Sequence, residues 1–138
     1  MIERIECAGD LLALIVRSGF REPGVHFFTP GHLSQQLAYM RHPAGHAIAA
    51  HVHNPVARAV LHTQEVLLLR RGRLRVDFYT KAGAYLESRV LEAGDVILLA
   101  SGGHGFEALD EIEMIEVKQG PYTGGADKSL IGGAGPTA

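Results

Sequence analysis

The chain has a single cysteine, Cys7, so no internal disulfide can form, and a free thiol fits a reducing compartment better than a secreted one. No cluster of positive charge precedes the first apolar run, Leu11 to Val16; Glu3, Glu6 and Asp10 stand there instead, and the run is too short for a signal peptide. Nothing approaches the ~20 apolar residues of a membrane span. Basic runs go no further than Arg70-Arg71, and 13 Lys and Arg against 15 Asp and Glu leave a formal charge of -2, which removes the electrostatic footprint of a nucleic-acid binder. Helical periodicity is nearly missing and no internal repeat is evident. These absences predict a soluble, cytoplasmic protein with no nucleic-acid or membrane partner.

What remains is ordinary in bulk. The 138 residues, 46% hydrophobic and 20% charged, are enough for one domain that buries a core unaided. Short segments rich in β-branched and apolar residues are separated by Gly, Pro or Asp at intervals typical of an all-β sandwich or barrel. Arg73 to Tyr79 alternates strictly, with Leu74, Val76 and Phe78 on one face and Arg73, Arg75, Asp77 and Tyr79 on the other. Glu65 to Arg71 precedes it across Gly72, so the two segments read as a hairpin. Further strands are expected at Tyr85 to Leu91, Val96 to Leu99 and Ile112 to Lys118, with turns at Lys81 to Ala84, Glu92 to Asp95 and Ser101 to Gly103. In the N-terminal third, strands are expected at Ala13 to Val16, Leu37 to Arg41 and Ala47 to Val52, with a helical turn near Ser34 to Gln36. Residues 1-123 read as the single domain, its barrel about 37-118, and the Gly-rich residues 124-138 as a mobile tail.

The chemistry-bearing pattern is a set of four residues. His51 and His53 lie two apart, so in a strand both imidazoles project from one face. Glu65 shares its strand face with Leu67 and Leu69, which aims a carboxylate at an apolar interior, where an uncompensated charge is costly. A cation removes that cost, and His104, after a glycine turn, brings a third imidazole. Three nitrogens and an oxygen suit Fe, Zn, Mn or Ni without selecting one of them. Of the other histidines, His26, His32 and His42 carry no role, and His46 and His62 read as loop residues. Arg73, Arg75 and Arg89 read as a solvated sheet face, and none of Tyr79, Tyr85 and Tyr122 is assigned to catalysis. The GGHG segment lacks the lysine and the spacing of a phosphate loop.

HVH at 51 to 53, Glu65 followed by Gly72, Gly94-Asp95 and His104 together resemble the two motifs of the cupins. The resemblance implies a double-stranded β-helix, or jelly roll, with one divalent metal ion held by His51, His53, Glu65 and His104. It also implies a homodimer. Two departures are evident: eleven residues, NPVARAVLHTQ, separate His53 from Glu65, a longer step than usual, and Ala100 stands where a proline is usual. The insertion leaves Gln64 and His62 as alternatives to Glu65. The run EVKQGPY at 116 to 122, with Asp127-Lys128, resembles the ending of small cupins associated with polysaccharide and nucleotide-sugar genes. The expectation is an enzyme of unassigned reaction, an isomerase, epimerase or dioxygenase acting on a small polar substrate such as a sugar; the alternative is a module that binds a small ligand or metal without turnover.

Overall fold

A computed structural model describes residues 1-132; the last six residues of the expected tail, 133-138, lie outside the described part. The chain is all-β, with ten strands and no helix among the described residues. In order they are β1 (Ile2–Cys7), β2 (Asp10–Val16), β3 (Gly24–Phe27), β4 (Ala38–Arg41), β5 (Glu65–Arg71), β6 (Leu74–Tyr79), β7 (Tyr85–Leu91), β8 (Val96–Leu99), β9 (Gly103–Ala108) and β10 (Glu113–Lys118). All pairings are antiparallel and form three sheets: β1-β2-β8-β5-β10, β7-β6-β9 and the hairpin β3-β4. No described helix is long and apolar enough to cross a membrane.

Alternation explains how the sheets stack. Leu67 and Leu69 of β5, Leu12 and Ile15 of β2 and Ile97 and Leu99 of β8 meet Leu74, Val76 and Phe78 of β6 and Leu91 of β7 in one buried cluster. The five-stranded and three-stranded sheets therefore face each other, each contributing one side of its strands. The opposite face of the larger sheet carries Leu14, Val16 and Leu98, which pack with Phe20, Phe28, Leu33 and Leu37 from the segment around the small hairpin. Burying Phe78, at 1% exposure, removes an aromatic side chain from water and stabilises the fold by roughly 2 to 3 kcal/mol.

Several expectations need correction. β5 and β6 are not a hairpin: they belong to different sheets and do not pair, so Gly72 is a corner where the chain crosses from one layer to the other. Leu67 and Leu69 on one side of Gly72, and Leu74 and Val76 on the other, are buried in the same cluster, which facing sheets achieve and a flat hairpin does not. The corner needs glycine, with φ at +79° and a Cβ that would run into the Glu111 carbonyl. No strand forms over Ala47 to Val52. Every residue from Pro43 to Thr63 is exposed, because Ile48, Val52, Val56, Val60 and Leu61 have no layer to pack against. The helical turn near Ser34 to Gln36 is a bend: Gln36 donates to the Pro30 and Leu33 carbonyls, and the Gln35 N–H donates to the Gln64 side chain, so local side-chain bonds take the place of a helical turn. β1, β3 and β9 were not expected from the sequence. Of the tail, Ile131 lies against Gly103 and Gly83.

Candidate metal-binding site

Glu65 opens β5, and the period of two that buries Leu67 and Leu69 puts its carboxylate on the same inner face, at the end of the sandwich. His104 is the second residue of β9, directly opposite Phe78 of β6, and residues paired in an antiparallel ladder share a face. The buried ring of Phe78 fixes that face as the inner one. Two facing sheets thus deliver Glu65 and His104 to one point, with His104 Nε2 3.3 Å from Glu65 Oε2 and side-chain exposures of 29% and 16%.

Position within β9 depends on a glycine corner. Gly102 has φ at +70°, and a Cβ there would come within 2.6 Å of the Tyr79 carbonyl oxygen. The Ala100 and Ser101 N–H groups both donate to Leu12 O, and Ser101 Oγ donates to Leu11 O, so this turn is fastened to β2. Ala100 fills the position of the expected proline with a residue that supplies an N–H bond, which proline lacks.

Lys118, at the end of β10, pairs in register with Glu65 across the larger sheet. Its Nζ lies 3.9 Å from Glu65 Oε1, outside hydrogen-bond range. The hydrogen bond from His104 holds the Glu65 carboxyl below its ordinary pKa; burial opposes this, and the charges of His104 and Lys118 reinforce it. Sequence reasoning missed Lys118, since nothing local marks a strand-end lysine as the register partner of a glutamate more than fifty residues earlier.

Gln64 is spent on structure. Its Oε1 accepts from the Gln35 N–H and its Nε2 donates to the Ala100 carbonyl, while its own N–H donates to Gln119 Oε1. Gln119 in turn donates to Ser34 Oγ. This chain of bonds ties the starts and ends of three segments beside Glu65. His62 lines an open cleft of about 500 Å³ between residues 60-63 and 118-124, which Lys118 and Asp127 also border.

His51 and His53 lie in the exposed Pro43 to Thr63 segment, their ring centroids 5.2 Å apart and edge to face. The His51 Nδ1–H donates to the Ala49 carbonyl at 2.8 Å, which leaves Nε2 as the free lone pair. The structure therefore brings Glu65 and His104 together as one pair and holds His51 and His53 as another. Among the described residues no group of three or more His, Cys, Asp or Glu side chains is placed to hold a metal ion. As donors, an imidazole and a partly buried carboxylate aimed at one point suit a borderline divalent ion, and two further imidazoles would complete the set. His42, just before that segment, stacks on His46 within it at 4.0 Å, and His26 Nε2–H donates to the Pro23 carbonyl.

Asp95 of the Gly94-Asp95 pair has a structural task. At 2% exposure it accepts from Arg17 Nη1, the Ser18 N–H and the Glu92 N–H, closing the turn into β8. Compared with family models, curated proteins and solved structures, the chain matches none.

Proposed function

We propose that this chain is a cupin-type jelly roll binding one divalent metal ion through His51, His53, Glu65 and His104, and acting on a small polar substrate such as a sugar derivative. The observation that carries this reading is the convergence of Glu65 and His104 from two facing sheets at the end of the sandwich. A second fact supports it. β9 pairs with β6 alone, so its other edge is free among the described strands, while the HVH segment has no strand partner. Pairing of that segment along β9 extends the smaller sheet to four strands. With the right register, alternation then turns both imidazoles toward the face of His104. The long step between His53 and Glu65 supplies the slack for this movement.

Fe, Zn, Mn and Ni all suit the donor set, and a bound ion supplies Lewis acidity or a site for oxygen. The residues of the chain hold and orient: Glu65 provides the anionic donor, His104 the neutral one, and Lys118 sets a positive charge beside them at the margin of the open cleft. A reading as a binding module without turnover draws on one observation. Tyr79, opposite Gly103 in the ladder, alternates to the outer face, away from His104, and so supplies no acid or base there.

The test is metal content of the untagged protein by mass spectrometry, for the wild type, His51→Ala and Glu65→Gln. Near-stoichiometric metal in the wild type, lost in both variants, is expected. A wild type that takes up none of Fe, Zn, Mn or Ni on loading overturns the metal reading; bound metal that survives both substitutions overturns the ligand assignment.

A further inference from the structure

Lys118 holds no ligand position in the proposed metal site, yet it stands beside it. It ends β10 in register with Glu65, and the backbone there is fastened on both sides. The ladder holds the strand, and the next residue, Gln119, accepts from the Gln64 N–H at 2.8 Å and donates to Ser34 Oγ at 2.7 Å. The ammonium group is not so engaged. Among the described residues its one ion partner is Glu65, at 3.9 Å and beyond hydrogen-bond range, and the side chain is 33% exposed. A rigid strand end thus sets a cation with unused N–H donors at the margin of the cleft.

The residues bordering the cleft sort by charge. Among the described ones Lys118 is the single Lys or Arg and Asp127 the single carboxylate. The two do not pair: Asp127 Oδ2 accepts instead from the Thr63 hydroxyl, at 3.4 Å. Tyr122, 87% exposed, adds an aromatic face, and His62 an imidazole. A ligand matched to these groups carries an anion at one end, for Lys118, and hydroxyls at the other, which donate to Asp127 and exchange hydrogen bonds with Thr63 and His62. A carboxylate fits this seat better than a phosphate. No guanidinium and no helix N-terminus, the groups that supply the several donors a phosphate takes up, borders the cleft among the described residues. An ion held by Glu65 adds to the same preference, because it draws off the carboxylate that faces Lys118 and leaves two neighbouring cations with a place for an anion between them.

We propose that the cleft binds a small polyhydroxy carboxylic acid, a sugar acid, with its carboxylate on Lys118 and its hydroxyls toward Asp127 and Thr63. The inference deepens the proposed function and rests on it for the adjacent ion alone.

Isothermal titration calorimetry of the full chain tests it, with glucuronate, glucose 6-phosphate and glucose as probes. Chelator-treated and zinc-loaded samples are compared, with metal content measured in each. Glucuronate is expected to bind, more tightly in the zinc-loaded protein, and the other two probes more weakly. Lys118→Met should weaken glucuronate about tenfold, the contribution of one charge-assisted hydrogen bond, and leave glucose unchanged, while Lys118→Arg should keep most of the affinity. Asp127→Asn should weaken glucose and glucuronate alike. Glucuronate held no more tightly than glucose, or equally by the wild type and Lys118→Met, overturns the proposal; glucose 6-phosphate held as tightly as glucuronate overturns the choice of a carboxylate. Lys118-dependent glucuronate binding in a chain that takes up no metal sustains this site and sinks the metal reading alone. Full zinc occupancy with no glucuronate binding does the reverse.

Discussion

His104 and Glu65 touch across the gap between two sheets, although the sequence separates them by three crossings between those sheets, the paired strands β6 and β7, and β8. Their contact sits at the one end of the sandwich where β5 begins, β8 ends, β9 begins and β10 ends. Strand ends are where a chain can place polar groups without burying them fully. A carboxylate so placed is a stable partner for an imidazole and a ready donor to a cation.

Metal loading should stabilise the folded chain. At a free ion concentration of about one hundred times the dissociation constant, the gain is about 2.7 kcal/mol, roughly 10 °C in Tm. Thermal melts with and without a chelator measure it. His51→Ala should melt like the chelated wild type, because the exposed His51 ring makes only surface contacts, with His53 and the Ala49 carbonyl, in the absence of metal.

Asp95→Ala should cost about 3 kcal/mol in a urea titration. The substitution leaves the Ser18 and Glu92 N–H groups without their acceptor and strips the Arg17 guanidinium of its 2.8 Å partner. A loss below about 1 kcal/mol would show that water replaces the carboxylate.

Gly72→Ala should cost about 2 kcal/mol by the same measurement. Its φ of +79° disfavours any L side chain, and the added methyl meets the Glu111 carbonyl. The same substitution at Gly45, also at positive φ but with open space around it, should cost less.

Asp77 predicts an acid limb. Burial raises its carboxyl pKa, but hydrogen bonds from Arg75 and Ser88 and the guanidinium charge outweigh that and hold it below the ordinary value. A depressed folded pKa contributes stability above the unfolded value, near ~3.9, that is lost as pH falls through the folded one. Urea titrations below about pH 4 should therefore show a shallower decline for Asp77→Asn than for the wild type.

Much of this protein was legible in single residues. Strict alternation from Leu74 to Phe78 announced a strand with one buried face, and the same parity along Glu65, Leu67 and Leu69 aimed a carboxylate inward, as the burial of both leucines bears out. Turns at Gly83 and Gly94 were visible from composition. Local pattern can do this because side-chain direction in a strand depends on the strand alone.

Partner choice is another matter. That Gly72 is a corner and not a hairpin turn, that Lys118 falls opposite Glu65, and that among the described residues β10 has one unpaired edge and Ala47 to Val52 no strand partner were decided by which segments met across the core. Each depends on burying apolar faces contributed by residues far apart in the chain, and alternation marks such a face without naming what will cover it. The sequence by itself determined the all-β class, the faces and the identity of the candidate ligands; only the tertiary structure decided that two of those ligands, Glu65 and His104, stand together while His51 and His53 stand elsewhere.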